Sequence, residues 1–232
     1  TDRGLRYNPY WGYLDRWTTN DDGDTISNGK EMISEKINYF HKPMFTIRDF
    51  WTVSDKLYIS NIAYLSIGKG GGTGLDTQSG VDYDENGQLD FQKIYDKNRV
   101  TRWGDYLDGF PDGYKSNNFI RSSNNEHFWY GLLSTVNYSI TDKLQSSSGL
   151  DLRSYRGSHY EEIVDLLGGD YTIETVNKTS TNKFKTEGDI VSYHNDGLVN
   201  WGGAFTQLKY KNGRSSTFLN LTGSYSGYKR ID

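Results

Sequence analysis

Residues 126–158 read EHFWYGLLSTVNYSITDKLQSSSGLDLRSYRGS, two long alternating runs joined by a short polar turn at Thr141-Asp142-Lys143. A strand in a soluble protein usually ends after ~5–6 residues. Each arm here runs for about a dozen or more, roughly 40 Å at ~3.3 Å per residue. A core is seldom that wide, whereas a bilayer is. Phe128, Tyr130, Leu132, Val136, Tyr138 and Ile140 share one face, interrupted by Ser134. Gly131, Thr135, Asn137 and Ser139 share the other, with Trp129 and Leu133 out of phase. In the return arm Leu144, Leu150 and Leu152 oppose Gln145, Asp151 and Arg153.

Two more stretches follow the same plan. Residues 41–67 turn near Ser54-Asp55, and residues 198–228 turn at Asn212-Gly213, where a type I′ turn needs two residues of positive φ. In the latter, Ala204, Thr206, Leu208 and Tyr210 oppose Gln207 and Lys209, and Leu219, Leu221 and Tyr225 oppose Asn220, Thr222 and Ser224. The first hairpin is less regular: Phe45, Ile47 and Trp51 align, Asp49 falls on their face, and in 57–67 neither the odd nor the even positions stand out. Between the hairpins lie long polar segments, 1–40, 68–126 and 159–197. Short turns at one end and long excursions at the other are the plan of an outer-membrane barrel. The competing architecture is a soluble β-sandwich, whose strands also alternate; strand length and loop asymmetry favour the barrel.

Composition agrees. Of 232 residues 34% are hydrophobic, yet 15% are aromatic, with 19 Tyr and 6 Trp, as expected of a wall in which only alternate residues meet lipid. The net charge of −4 with mixed signs gives no nucleic-acid surface. With no cysteine there is no disulfide, thiol nucleophile or cysteine zinc site. No apolar run has the length of a transmembrane helix. The chain begins TDRGLRYNPYWGYL, with neither an initiator Met nor a secretory leader, and ends SYSGYKRID inside a strand pattern. Both ends are expected to be internal to a longer protein. Six strands do not close a membrane barrel, and open edges in lipid are costly, so the rest of the wall is expected outside these residues.

Several stretches together resemble a known family: YNPYWGYL (7–14), HKPMFTIRDFW (41–51), AYLSIGKGGGTG (63–74), NNEHFWYGLLSTVNY (124–138), DLLGGDY (165–171) and NDGLVNWGGAFTQLKY (195–210). They resemble the TonB-dependent receptors of Bacteroidota, including the SusC-like branch. The resemblance implies an all-β chain: a mid-barrel piece, 1–232, of a 22-stranded transmembrane barrel with a plugged lumen. It also implies active nutrient uptake (glycan, siderophore or similar) across the bacterial outer membrane. The partners so implied are outer-membrane lipid, the inner-membrane TonB–ExbB–ExbD complex acting through a plug, and, in the SusC-like branch, a SusD-like surface lipoprotein.

Site candidates are of three kinds. Arg153, Gln207 and Lys209 are expected to line the lumen. The aromatics Tyr10, Trp11, Tyr13, Trp103, Tyr106, Phe110 and Tyr114 lie in polar segments, where they either form a ligand surface or pack the loops together. Asp82, Asp84, Asn86 and Asp90 match part of an EF-hand calcium loop, but Lys93 stands where the bidentate Glu belongs. The favoured reading there is an Asx/Gly turn followed by a short helix from Asp90 to about Asn98; NDDGD (20–24) has fewer ligands still. IGKGGGTG (67–74) lacks the Ser or Thr of a phosphate loop, and its glycines are expected to let a strand bend out of the membrane. His41, His127, His159 and His194 have no close metal spacing. Glu161-Glu162 and Asp105/Asp108/Asp112 have nothing to fix the separation that glycoside hydrolysis needs. No enzyme and no cofactor beyond the calcium candidate is expected. The alternative function is a soluble or cell-surface all-β glycan-binding module.

Overall fold

The computed structural model describes residues 7–77, 80–100, 102 and 109–232. It is all-β with one short helix. The strands are β1 Trp11–Asp15, β2 Thr18–Thr19, β3 Thr25–Ile26, β4 Lys30–Ser34, β5 Asn38–His41, β6 Met44–Ser54, β7 Leu57–Thr77, β8 Asn118–Ser139, β9 Leu144–Asp165, β10 Thr172–Ile173, β11 Phe184–Lys185, β12 Ile190–Asn212 and β13 Ser215–Ile231, with α1 at Phe91–Asn98. The main sheet runs β13-β12-β9-β8-β7-β5, with β6 also on β7. It is a meander of the three expected hairpins whose path ends at β13 on one side and at β5 and β6 on the other. Pro43, without an N–H, lies in the gap between β5 and β6.

The strands are longer than the side-chain pattern indicates. β7, β8, β9 and β12 have 21, 22, 22 and 23 residues, and extend well into segments read as loops. Ladder hydrogen bonds belong to the backbone and continue under Ser, Asn and Glu as readily as under Leu. The glycines of 67–74 likewise lie inside β7 rather than at a bend. Gly68 faces the His127 ring, and a Cβ there would collide with it.

The turns differ in detail too. Asn212 pairs with Ser215, so the two-residue loop is Gly213-Arg214 rather than Asn212-Gly213. Of these two only Gly213 has positive φ (59°), which is type II′ rather than I′. At the β6–β7 turn Ser54 pairs with Leu57, with a register shift between Thr52 and Ser54.

Register settles the facing of 57–67. Phe45 opposes Leu65, Ile47 opposes Ala63, Asp49 opposes Asn61 and Trp51 opposes Ile59, so the odd positions of β7 join the apolar row of β6. Asp49 stays on that face, where it accepts from Trp51 Nε1 (2.5 Å) and Asn61 Nδ2 (3.3 Å), while Ser134 Oγ donates to Asn61 Oδ1 (2.7 Å).

The chain divides into two compact units. The first comprises Thr1–Tyr39, Gly71–Asn124 and His159–His194. It has two apolar cores, one of Leu14, Leu89, Phe91, Ile94, Tyr95, Ile120 and Leu167, the other of Phe119, Ile163, Leu166 and Val191. Helix α1 starts where Asp90 caps it, accepting from Lys93 N at 2.9 Å. Its Phe91, Ile94 and Tyr95 fall on one face at helical spacing and are buried. The second unit comprises Phe40–Gly70, Asn125–Ser158 and Asn195–Asp232, that is, the hairpin ends of the six long strands.

Candidate functional site

Alternation assigns each side chain of the second unit to one of two faces. The face opposite the apolar row carries polar groups interrupted by aromatics, and the two classes separate along it. Near the hairpin turns Thr52, Asn137, Gln145, Gln207 and Lys209 line a polar cleft of ≈ 460 Å³. Gln207 Nε2 donates to Asn220 Oδ1 of the neighbouring strand (2.8 Å).

Further from the turns, Lys42, His127, Trp129, Arg153, Tyr155 and Trp201 surround a cleft of ≈ 480 Å³. The Arg153 guanidinium lies over the Trp201 ring, 4.8 Å from its centroid. Asp151, two residues earlier on the same strand and face, grips it from the side, accepting from Nε (2.9 Å) and Nη2 (2.5 Å). This two-point hold fixes the plane of the cation and leaves it stacked, a combination that lysine cannot reproduce. Trp129 meets Tyr64 edge to face at 5.4 Å, and His127 lies 6.1 Å from Tyr155. Gly131 makes room for Tyr64, whose hydroxyl occupies the space of a Cβ there. The result is a row of aromatic surfaces around a fixed Arg153–Asp151 ion pair, with Lys42 at the margin. It can stack a planar or saccharide ligand.

The structure thus brings Arg153 into the aromatic cleft and puts Gln207 and Lys209 in the polar one. Lys42, His127, Trp129, Tyr155 and Trp201 complete the first and were not singled out by sequence. Their signal was present in the aromatics out of phase with the apolar row, Trp129 and Trp201 above all.

Among the described residues the loop candidates stand in separate contacts. Tyr10 is exposed beneath Lys36, whose ammonium is 5.6 Å from the ring centroid, and Trp11 packs against exposed Tyr13 (5.6 Å). Tyr114 is stacked by Arg99 (4.9 Å) and Arg102 (5.8 Å). Phe110 packs on Phe184 (5.5 Å). Trp103 and Tyr106 lie outside the described residues, as do Asp105 and Asp108. Trp17 and Tyr95, not singled out by sequence, hold Arg99 from two further sides (5.0 and 5.8 Å).

The calcium candidates do not converge. Asp82 is ion-paired to Lys93 (2.9 Å) and Lys97; hydrogen bonds from Lys97 and then Lys93 hold its carboxyl below the usual range. Asp84 Oδ1 accepts from Asn86 N (2.9 Å) and Gln88 N (2.8 Å), an Asx turn, and Asp90 is the helix cap. The turn and helix favoured from the sequence are what forms. In 20–24 the Asn20 side chain likewise accepts from Asp22 N and Asp24 N (3.1 and 2.7 Å). Among the described residues no group of three His, Asp or Glu can hold a metal. Glu161 is paired with Arg121 (2.5 Å), Glu162 accepts from Asn124 Nδ2 (3.4 Å) and Asp112 is paired with Arg102 (2.5 Å).

No protein-family model matches the chain, nor does any curated protein or solved structure.

Proposed function

We propose that these residues are wall and extracellular loops of a TonB-dependent outer-membrane transporter of 22 strands. In this role the chain takes part in nutrient uptake by binding and gated release, without covalent chemistry. One observation carries the reading: the sheet's exposed face is largely apolar over about ten residues of β6, β7, β8 and β13 and bounded by aromatics, while β9 and β12 set Ser146, Ser148 and Thr206 among the leucines of the same face. Toward the turns stand Trp51, Tyr138 and Tyr210; at the other limit stand Phe45, Phe128 and Tyr225, all exposed. Ten residues tilted by about 40° rise ~25 Å, the height of the apolar band of such barrels. Between the rows lie Ile47, Leu132 and Leu221, 73%, 40% and 59% exposed. Water would not tolerate a surface of this extent, and lipid would. Asp49, Asn61 and Ser134 form one polar break in the band and satisfy one another; Ser148 and Thr206 form a second, hydrogen-bonded at 2.7 Å.

In this reading the opposite face looks into the lumen, and the Arg153–Trp201 cleft meets cargo. TonB–ExbB–ExbD would act through a plug, and a SusD-like lipoprotein is a candidate surface partner. The open edges at β6 and β13 pair with further strands of the same wall. The glycan-binding module shares the aromatic cleft, but it needs the apolar face buried, and among the described residues nothing covers it.

The deciding experiment is the denatured mass of the natural polypeptide in isolated membranes. A mass several times 26.6 kDa, in a detergent-dependent particle, is expected. A polypeptide of 26.6 kDa that stays monodisperse without detergent would overturn the reading.

A further inference from the structure

The sequence holds three Asn-Gly steps, Asn28-Gly29, Asn86-Gly87 and Asn212-Gly213. Such a step can react with itself. The glycine N–H, unhindered by a side chain of its own, attacks the asparagine side-chain carbonyl and expels ammonia. All three asparagines are exposed, so access to water does not separate them. The state of the nucleophile does. Gly29 N donates to Ser27 Oγ (3.2 Å) and Gly87 N to Asp84 O (2.9 Å). The Asn28 amide is held as well, its Nδ2 donating to Arg16 O at 2.5 Å. Gly213 differs. Ladder pairing closes at Asn212 and Ser215, and among the described residues Gly213 N donates to nothing. The electrophile is prepared too: Asn212 Oδ1 accepts from Lys143 Nζ (3.3 Å), on the turn of the neighbouring hairpin. A cation there favours the negative charge that gathers on this oxygen during attack. Lys211 and Arg214 flank the step in the chain, and positive charge near an amide N–H eases the loss of its proton.

We propose that Asn212 is a site of self-modification, converted to aspartate and isoaspartate in the folded protein ahead of Asn28 and Asn86. Gly213 N bonds to Asn212 Cγ, the Cγ–Nδ2 bond breaks, and Nδ2 leaves as ammonia with the amide proton. Water then opens the succinimide at either carbonyl. The aspartate product sets a carboxylate where the amide met Lys143, so the two hairpin turns gain an ion pair. The chemistry needs only water at the turn and holds with or without a membrane. At Gly29 and Gly87 a hydrogen bond must be given up first, which slows attack by roughly fivefold.

The test is incubation of the natural polypeptide that contains these residues, folded, at mildly alkaline pH in water enriched in heavy oxygen. Chymotryptic digestion in ordinary water and peptide mass spectrometry then read the heavy-oxygen product at each asparagine. Conversion at Asn212 is expected to run roughly fivefold or more faster than at Asn28 or Asn86. In urea, where no turn holds any glycine amide, the three rates should converge. Equal rates at the three sites in the folded protein overturn the proposal. So does a preference for Asn212 that persists unchanged in urea, since it would then come from the neighbouring residues and not from the fold.

Discussion

The two units of this chain bury opposite things. Among the described residues, every buried hydrophobic side chain, from Leu14 and Phe91 to Leu167 and Val191, belongs to the first unit. The second has none, and turns Phe45, Ile47, Leu132, Leu150, Leu221 and Tyr225 outward. The same strands, β7, β8, β9 and β12, run through both. A strand therefore carries no preference for a core of its own; what matters is the solvent on each side of it. In water the polar segments fold on an interior built from helix α1, β1 and the strand ends. In the proposed bilayer the outside supplies the apolar phase, and the sheet needs no interior.

The sharpest way to break this comparison is to remove one interior side chain. Phe91 is fully buried, and Phe91→Ala should cost ~3–5 kcal/mol, read as faster amide exchange throughout the first unit. Exchange in the hairpins of the second should not change; if both loosen together, the units are not independent.

Next in size is the reverse operation on the second unit. Leu221→Arg should cost ~2–4 kcal/mol near the bilayer midplane, measured by urea unfolding in vesicles. The same change at neighbouring Asn220, on the opposite face, should cost much less. Equal effects at the two positions would refute the assignment of faces.

Glu174 sharpens the comparison from inside the first unit. Burial raises its pKa, but amides of Asn177, Ser192 and Val176 (2.9, 2.7 and 2.7 Å) outweigh that, so the carboxyl titrates below the usual range. It clamps Ser192, which has positive φ (61°). Because the folded pKa lies below the unfolded one, its contribution is complete above the ordinary glutamate range. It is lost as pH falls through the lowered folded value. Glu174→Gln should cost ~1–3 kcal/mol at neutral pH and flatten the acid limb of thermal unfolding of this unit.

Smallest is Asp90→Ala, which removes the cap of α1 and should cost ~1 kcal/mol, seen as fraying of Phe91–Lys93 by amide exchange. Added calcium should rescue neither form, since Asp82, Asp84 and Asp90 are engaged separately.

Much of this was legible in the residues and some was not. Leu132 and Leu221 could be placed on one face with their apolar neighbours by alternation, because successive side chains of a strand point to opposite faces. Asp90 could be read as the start of a helix, since a cap is a local interaction. Residues 57–67 gave no facing until β6 was paired with β7, because Ile, Asn, Ala, Tyr and Leu there fit either row. Nor did the polar ends of β7 and β8 announce themselves as strands, because backbone pairing leaves no mark on side-chain type.

What the sequence determined by itself is therefore the local part: three hairpins, their turn positions to within a residue, an amphipathic sheet and one capped helix. Only the tertiary structure decided which aromatics face the same cleft as Arg153 and which loop side chains become a core. It also decided that Lys69 pairs with Glu126 and Arg156 with Asp196. Those are matters of register between strands distant in sequence. A shift of one residue would exchange the two faces, and the alternation within a single strand cannot say which partner it will meet.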